Sequence, residues 1–522
     1  MRKRILGALL AMCMVLALMP SMAFAASAPK LIVDGVDLVT APNYQINCSG
    51  GGTAAYDPAS RTLTLNNAII TNHSSYGPNN AGIYIDGFDE AVTIKLIGEN
   101  KIHLDNKGIG VFKWGDSALN IVAGGNDSEL DSMDIVTYLA NDGSASSPYG
   151  VRTDGDLNIG RVKLNISLTD NSKSNGFAVA SWDNAVTLDG TVLNVSDYNI
   201  ALYAMTAFKA DNIDFTVNSV EEDAILIDYG SAEIKNSKIT VQDTTDYTSV
   251  WVYGDLTVID SEVDVHSKYE NGIGCDGKLT VSGGKLSAAA DDGRYPAVFG
   301  GNGILFQNEA EITATSDNGG YPIYAKKTDY SDENSKPADD SELIVLGKDM
   351  RMLGGADVVT SDWEYDSAEG SWCRVAYFDT DAANIVISAA YDITYAPGAN
   401  GAGNESTIIK NKGTDITLEG AIFTRDGYTQ IGWATTENAT TAEYALGAKY
   451  DFDAAVTLYP VWRDNRTKSE TTPTDTGLTG STASEAKSPK TGDTAGRNLV
   501  FVFVLSGSVF AAAWICGRKK KD

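Results

Sequence analysis

Gly150-Val151-Arg152-Thr153-Asp154-Gly155-Asp156-Leu157-Asn158-Ile159-Gly160-Arg161-Val162-Lys163-Leu164-Asn165-Ile166 contains three short apolar runs separated by turns. Within each run apolar residues alternate with polar ones, the period of a strand with one buried face. A hundred residues on, the layout returns as Val250 and Val252, Gly254-Asp255, Leu256 and Val258, then Val263 and Val265. Unit starts made of a small residue and an apolar dyad recur at Gly82-Ile83, Gly108-Ile109, Gly150-Val151, Gly176-Phe177, Ala201-Leu202, Ala224-Ile225, Val250-Trp251, Gly272-Ile273, Ala297-Val298 and Pro322-Ile323. Their spacing is 22 to 26 residues, apart from one interval of 42 that holds an insertion. Helical spacing is absent from this region.

Three strands in about 25 residues cannot bury their apolar face alone, whereas stacked copies can, each strand pairing with its equivalent above and below. The pattern therefore predicts an all-β chain whose main body, residues 26–380 with an N-terminal cap, is a right-handed parallel β-helix. About ten rungs would make a rod on the order of 50 Å long. A β-sandwich also has short, evenly spaced strands, but it does not repeat one three-part unit. Leu31-Ile32-Val33-Asp34-Gly35-Val36-Asp37-Leu38 reads as a hairpin with an Asp-Gly turn that begins the cap.

Both ends of the 522-residue chain carry address-like segments. Arg2-Lys3-Arg4, the apolar run 5–19 and Ala23-Phe24-Ala25 predict a signal peptide over 1–25 and secretion. At the other end stand Ser488-Pro489-Lys490-Thr491-Gly492, the apolar run 499–516 and Arg518-Lys519-Lys520-Lys521. This order resembles the LPxTG-type sorting signal of Gram-positive cell-wall proteins, with Ser488 in place of the usual Leu. The resemblance implies sortase cleavage between Thr491 and Gly492 and linkage of Thr491 to peptidoglycan; a plain transmembrane tail anchor is the alternative. The net charge of −29 makes nucleic acid a poor partner. Outside the terminal segments only Cys48, Cys275 and Cys373 remain, which is no disulfide framework. Cys275 falls at an inward strand position.

Tyr56-Asp57-Pro58 through Asn66-Asn67-Ala68 resembles the entry rung of secreted bacterial β-helix proteins described as carbohydrate-binding. Between residues 388 and 462 Phe423, Gly427-Tyr428, Gly432-Trp433 and Leu458-Tyr459-Pro460-Val461-Trp462 follow in order. This segment resembles the Listeria-Bacteroides repeat, the internalin B-type module, which implies a small β-grasp-like spacer or interaction domain. Phe423, Tyr428, Trp433, Tyr459 and Trp462 supply the bulk such a domain needs for its core. Residues 463–487 hold ten Ser or Thr and no Ile, Val or Phe, a linker that cannot fold alone.

Candidate chemistry is sparse. Asp127, Glu129, Asp131 and Asp134 alternate in the insertion and suggest a calcium loop, although Ser132 and Tyr138 stand where an EF-hand needs Gly and Glu; a solvated loop is the alternative. A second acidic loop, 329–342, is expected to close the far end. A β-helix lyase or hydrolase would need paired carboxylates and a placed Arg or Lys. Asp291-Asp292-Gly293-Arg294 is the nearest such cluster, and it also reads as a polar turn. His73, His103 and His266 are scattered. The turn acids Asp86, Asp116, Asp154, Asp183, Asp228, Asp255 and Asp276 would form a ladder if the rungs register, as turn formers or as a calcium site.

In the first strand of each rung the positions between inward residues are expected to face out: Tyr84, Arg152, Ala178, Tyr203, Leu226, Trp251, Tyr253 and Tyr324. Trp182 and Tyr229 follow in the adjoining turns. Trp182, Tyr203, Tyr229, Trp251 and Tyr253 are thus expected to form an exposed ridge that stacks on an extended polysaccharide; the competing explanation is that aromatics favour strands. The resulting expectation is a non-catalytic, wall-anchored, glycan-binding adhesin without a cofactor other than possible calcium. A polysaccharide lyase or hydrolase, a structural spacer and a host-protein adhesin are the alternatives.

Overall fold

A computed structural model describes residues 28–74, 80–104, 108–125, 130–138, 147–169, 176–242, 247–317 and 319–466. Apart from one three-residue 3-10 turn at Pro42–Tyr44, the regular structure of these residues is β. Two compact units are separable, one ending at Ala389 and the other beginning at Ala390.

The first unit is a parallel β-solenoid of about eight turns. Each rung supplies one strand to each of three sheets. In the rung that opens at Gly150 these are Tyr149–Thr153, Leu157–Gly160 and Lys163–Thr169. All three pair in parallel with the next rung, Val151 with Val179, Leu157 with Val186 and Leu164 with Leu193. Like thus stacks on like, and the inward members of these columns are fully buried. Cys275 lies in this interior, as its strand position implies.

Two columns explain the repeat's punctuation. Between the second and third strands, Gly190, Asn212, Asn236, Asp260, Gly283 and Asn308 all have φ between 45° and 69°. That left-handed conformation is the one Asn, Asp and Gly tolerate best. Where the first strand begins, the chain passes close over the third sheet. A Cβ on Gly150 would lie 2.3 Å from Ile166 Cγ2 and 2.5 Å from the Ala178 carbonyl, and one on Gly110 would lie 2.4 Å from Ile135 Cγ2. The backbone pairs Ile83 with Val111 and Val151 with Val179. Gly110 and Ala178, not Gly108 and Gly176, therefore occupy the small-residue column. Ala178 accordingly sits in this corner, fully buried, and not on the outer face.

Both ends of the first sheet are covered, which removes unpaired edges. Lys30–Val33 lies antiparallel to Ala81–Asp86, and the expected hairpin pairs Val33 with Val36 through Asp34 and Gly35, both at positive φ. The Asp34 carboxylate accepts hydrogen bonds from the Thr71 and Asn72 amides at 3.1 and 2.8 Å and from Ser49 Oγ at 2.8 Å. At the far end Ser371–Phe378 runs antiparallel to Ile323–Asp329. From that cap Arg374 donates to the Asp339 and Ser341 carbonyls at 3.2 and 2.7 Å, pinning the backbone of the second acidic loop.

In the second unit, residues 390–395 of the strand Asn384–Tyr395 pair antiparallel with Ser406–Asn411 and parallel with Val456–Asp464, which also pairs with Tyr428–Ala434. The last strand runs to Asp464, past the expected linker boundary at 463. Ile393, Tyr395, Leu418, Phe423, Trp433, Tyr450 and Leu458 form its core. Of the five expected core aromatics, Phe423 and Trp433 are buried, while Tyr428, Tyr459 and Trp462 are half-buried. The fully buried Lys410 pairs with Asp453, whose carboxylate also receives the Gly413 amide at 3.1 Å.

No helix among the described residues is long and apolar enough to cross a membrane. The apolar runs 5–19 and 499–516, and with them Thr491 and Gly492, lie outside the described residues.

Lys113 is the one lysine inside the solenoid wall among the described residues of the first unit. It stacks with Ile85 and Thr153, and its ammonium donates to the Gly115 carbonyl at 2.8 Å. Burial lowers its pKa from 10.5 to about 8 despite the opposing fields of Asp154, Asp116 and Asp86. Between these values the unfolded chain binds the proton and the native chain does not, so stability rises with pH. Below pH 8 both states are protonated and the cost of the buried charge is fully present. Thermal unfolding of wild type and Lys113→Met should show the difference moving in favour of wild type by about 2 kcal/mol from pH 7 to pH 10. A difference that stays constant would place the ammonium in water.

Candidate functional site

The outer face of the first sheet carries a register column that runs Tyr84, Phe112, Arg152, Ala180, Tyr203, Leu226, Trp251, Gly274, Phe299, Tyr324. Ile109, Tyr149, Phe177 and Ile200 make a second column beside it. The aromatic side chains lie on each other. Tyr149 stacks on Phe177 at 5.5 Å between centroids, and Trp182 reaches Phe177 at 5.3 Å and Tyr203 at 5.1 Å. The Arg152 guanidinium lies 5.0 to 5.2 Å from the rings of Phe112, Tyr149 and Trp182.

This packing corrects the expected ridge. Tyr84 and Tyr203 are 5 % exposed and Trp251 is 7 % exposed. Gly274 is the reason in the last case. A Cβ there would lie 2.8 Å from Trp251 Cζ3 and 3.2 Å from Phe299 Cβ, so the indole lies across the glycine and stacks on Phe299 at 5.9 Å and 16°. In this column Tyr84, Phe112, Tyr203 and Trp251 are thus buried against their neighbours, while Phe299 and Tyr324 are half-buried.

The exposed side chains lie two residues further along each rung, where the first strand enters its turn. Backbone hydrogen bonds carry the register onward through Trp114, Trp182, Met205, Asp228, Tyr253 and Asp276. With Asp86 and Asp154 in the same column, aromatic rings and carboxylates alternate along this rim, broken once by Met205. Trp114 is 48 % and Tyr253 40 % exposed, Trp182 is half-buried, and Tyr229, one residue beyond the rim, is 71 % exposed. The five predicted aromatics thus fall on neighbouring rungs of one face. Trp182 and Tyr253 stand at its rim and Tyr229 one residue beyond it, whereas Tyr203 and Trp251 are buried in the packed column beneath.

Sequence inspection missed Trp114, Phe299, Tyr321 and Tyr377. Trp114 follows a strand whose small-residue position is Gly110, two residues past the Gly108 that the repeat spacing suggested. Tyr377 arrives from the capping strand, 4.4 Å from Tyr321. Carrying the Gly110 register through the second rung would have found Trp114.

The turn acids do not make one ladder; only Asp86, Asp154, Asp228 and Asp276 share the rim. Tyr203 OH donates to Asp228 at 3.3 Å, and burial, then the Asp228 charge, raise the Tyr203 pKa. Asp127 and Glu129 lie outside the described residues. The Asp131 carboxylate accepts the amides of Gly98, Gly124 and Gly125 at 2.8 to 2.9 Å, bonds that outweigh its burial and lower its pKa. Asp131 is thereby committed to its own loop. Among the described residues no group of three His, Cys, Asp or Glu is placed to hold a metal ion. In the Asp291 to Arg294 turn, Arg294 forks onto Asp292 through Nε and Nη2, which lowers the Asp292 pKa, and His266 Nε2 is 2.8 Å from Asp291.

Trp251→Ala and Gly274→Val should each lower stability by about 3 kcal/mol, one by opening a cavity and the other by overpacking. Tyr229→Ala and Tyr253→Ala should stay within about 0.5 kcal/mol of wild type. Thermal unfolding of the four variants is the measurement. An unchanged melting curve for Trp251→Ala would mean that the indole stands free.

No family model matches this chain, and no curated protein or solved structure is significantly similar to it.

Proposed function

We propose that this protein is a non-catalytic glycan-binding protein displayed on a bacterial surface. The observation that carries the proposal is the rim of the first sheet, where exposed rings alternate with carboxylates in register. Sugars are bound by apolar stacking against their ring faces together with polar groups that fix their hydroxyls. Rungs about 4.8 Å apart bring one such group past each sugar of an extended chain lying along the solenoid. The packed aromatic layer beneath holds the rim rigid, so little order has to be gained on binding.

The remaining segments fit display. Residues 1–25 serve as a secretion signal, and 390–464 as a spacer of the Listeria-Bacteroides repeat type with a β-grasp-like fold. The Ser/Thr-rich stretch from the end of the last strand at Asp464 to residue 487 is a linker, and Thr491 is the point of sortase attachment to peptidoglycan. On this proposal the fork of Arg294 onto Asp292 is a structural turn.

A glycan array probed with residues 26–466 should show binding to extended polysaccharide. The double variant Trp114→Ala, Tyr253→Ala should lose it, while Tyr330→Ala, an exposed aromatic away from the rim, should keep it. Release of shortened products from the bound glycan would overturn the non-catalytic part. Cell fractionation tests the anchor: the protein should stay with peptidoglycan after detergent treatment, and complete release by detergent would leave only a tail anchor.

A further inference from the structure

Trp114, Asp154 and Trp182 occupy three consecutive rungs of the rim, and Arg152 stands among them in the neighbouring column. The Arg152 guanidinium lies over the rings of Phe112, Tyr149 and Trp182, and its Nη2 is 3.7 Å from Asp154 Oδ1. Its charge is thus met by aromatic rings and a carboxylate. Its donors are not met. The distance to Asp154 exceeds a hydrogen bond, and that carboxylate is itself buried and fixed by the Gly115 amide, which donates to its Oδ2 at 3.1 Å. Arg152 Nε and the neighbouring Trp182 Nε1 are both buried without a hydrogen-bond partner, although the Tyr149 hydroxyl lies near both. Arginine and tryptophan side chains carry donors only, so Arg152 is balanced in charge and the cluster is short of acceptors. The Arg152 side chain is 20 % exposed and Trp114 is 48 % exposed, so an acceptor can arrive from solvent.

We propose that this end of the rim takes an uncharged polymer of N-acetylated amino sugars, an acetamido carbonyl accepting from the Arg152 guanidinium while sugar rings stack on Trp114 and Trp182. This rests on the glycan-binding proposal and names its ligand class. Trp114 and Trp182 are two rungs apart, about 10 Å, so sugars stacked on the two indoles leave one between them, over Arg152. The acetamido group supplies the missing acceptor, and its methyl is apolar enough to lie against the rings around the guanidinium. A glucose polymer brings hydroxyls but no such pairing of acceptor and methyl. A protonated amine would meet the Arg152 charge, and a uronic acid would have to compete with Asp154 in a chain with a net charge of −29.

The test titrates the whole exported chain with six-sugar β-1,4-linked oligomers of glucose, N-acetylglucosamine, glucosamine and glucuronic acid. The N-acetylglucosamine oligomer should bind about tenfold tighter than the glucose oligomer, and the preference should survive raised salt because the acceptor is neutral. Arg152→Met should remove the preference and leave the weaker glucose binding. Saturation-transfer NMR on the wild type puts the same question without a variant, and decides it if Arg152→Met fails to fold: the acetyl methyl protons should receive the strongest transfer from the aromatic protons of the protein. Equal binding of the glucose and N-acetylglucosamine oligomers, tighter binding of either charged one, a preference that persists in folded Arg152→Met, or saturation confined to the sugar-ring protons would overturn the N-acetyl assignment while leaving glycan binding intact. Binding of none of the four would overturn both proposals.

Discussion

In-register parallel pairing is the constraint on which the rest of the first unit depends. Because every strand lies on its equivalent, one position of the repeat becomes a column, and whatever stands there must tolerate its own kind about 4.8 Å away. Apolar residues meet this by packing, and amides by hydrogen-bonding along the column. Asn165 donates to Asp134 at 2.5 Å and Asn194 to Asn165 at 2.8 Å. Charged residues meet it by alternating. Asp214, Lys238, Glu262, Lys285 and Glu311 succeed one another in register on the third sheet. Like charges stacked in that column would repel, so the alternation removes a penalty more than it adds stability.

The same constraint decides where binding chemistry can stand. Aromatics in one column meet each other before they meet a ligand, and on the first sheet they bury their faces mutually around Arg152 and across Gly274. This turns a row of strand aromatics into a second, external core. The exposed rings are thereby displaced to the strand ends, where the chain turns. There Trp114 and Tyr253 remain exposed, separated by acids that share their column. The rim stands two residues beyond the packed column on each rung, as Trp114 does from Phe112 and Tyr253 from Trp251.

The second unit solves a different problem. With about 75 residues it has little apolar surface to bury, and it combines Trp433, Phe423 and Tyr395 with polar ties that fix single geometries. Trp433 Nε1 donates to the Glu419 carbonyl at 2.9 Å, and the Glu419 amide to Tyr395 OH at 3.0 Å. The Lys410 to Asp453 pair closes the turn after Ser406–Asn411, and this contact lowers the Asp453 pKa.

The sequence by itself determined that the chain is β, that its main body is a stack of three-strand rungs, and that a hairpin through Asp34-Gly35 begins its cap. These follow from periodicity and turn chemistry, which are local and repeat many times, so a slip of two residues at Gly108 and Gly176 did not hide the pattern. What only the tertiary structure decided is which side chains of that face are free. Trp251 and Tyr253 look alike in an alternating strand, but exposure depends on the neighbouring rung. There Gly274 gives the indole a place to lie, whereas Tyr253 stays 40 % exposed. Such a relation spans 23 residues of chain and one strand spacing in space, and only the register connects the two.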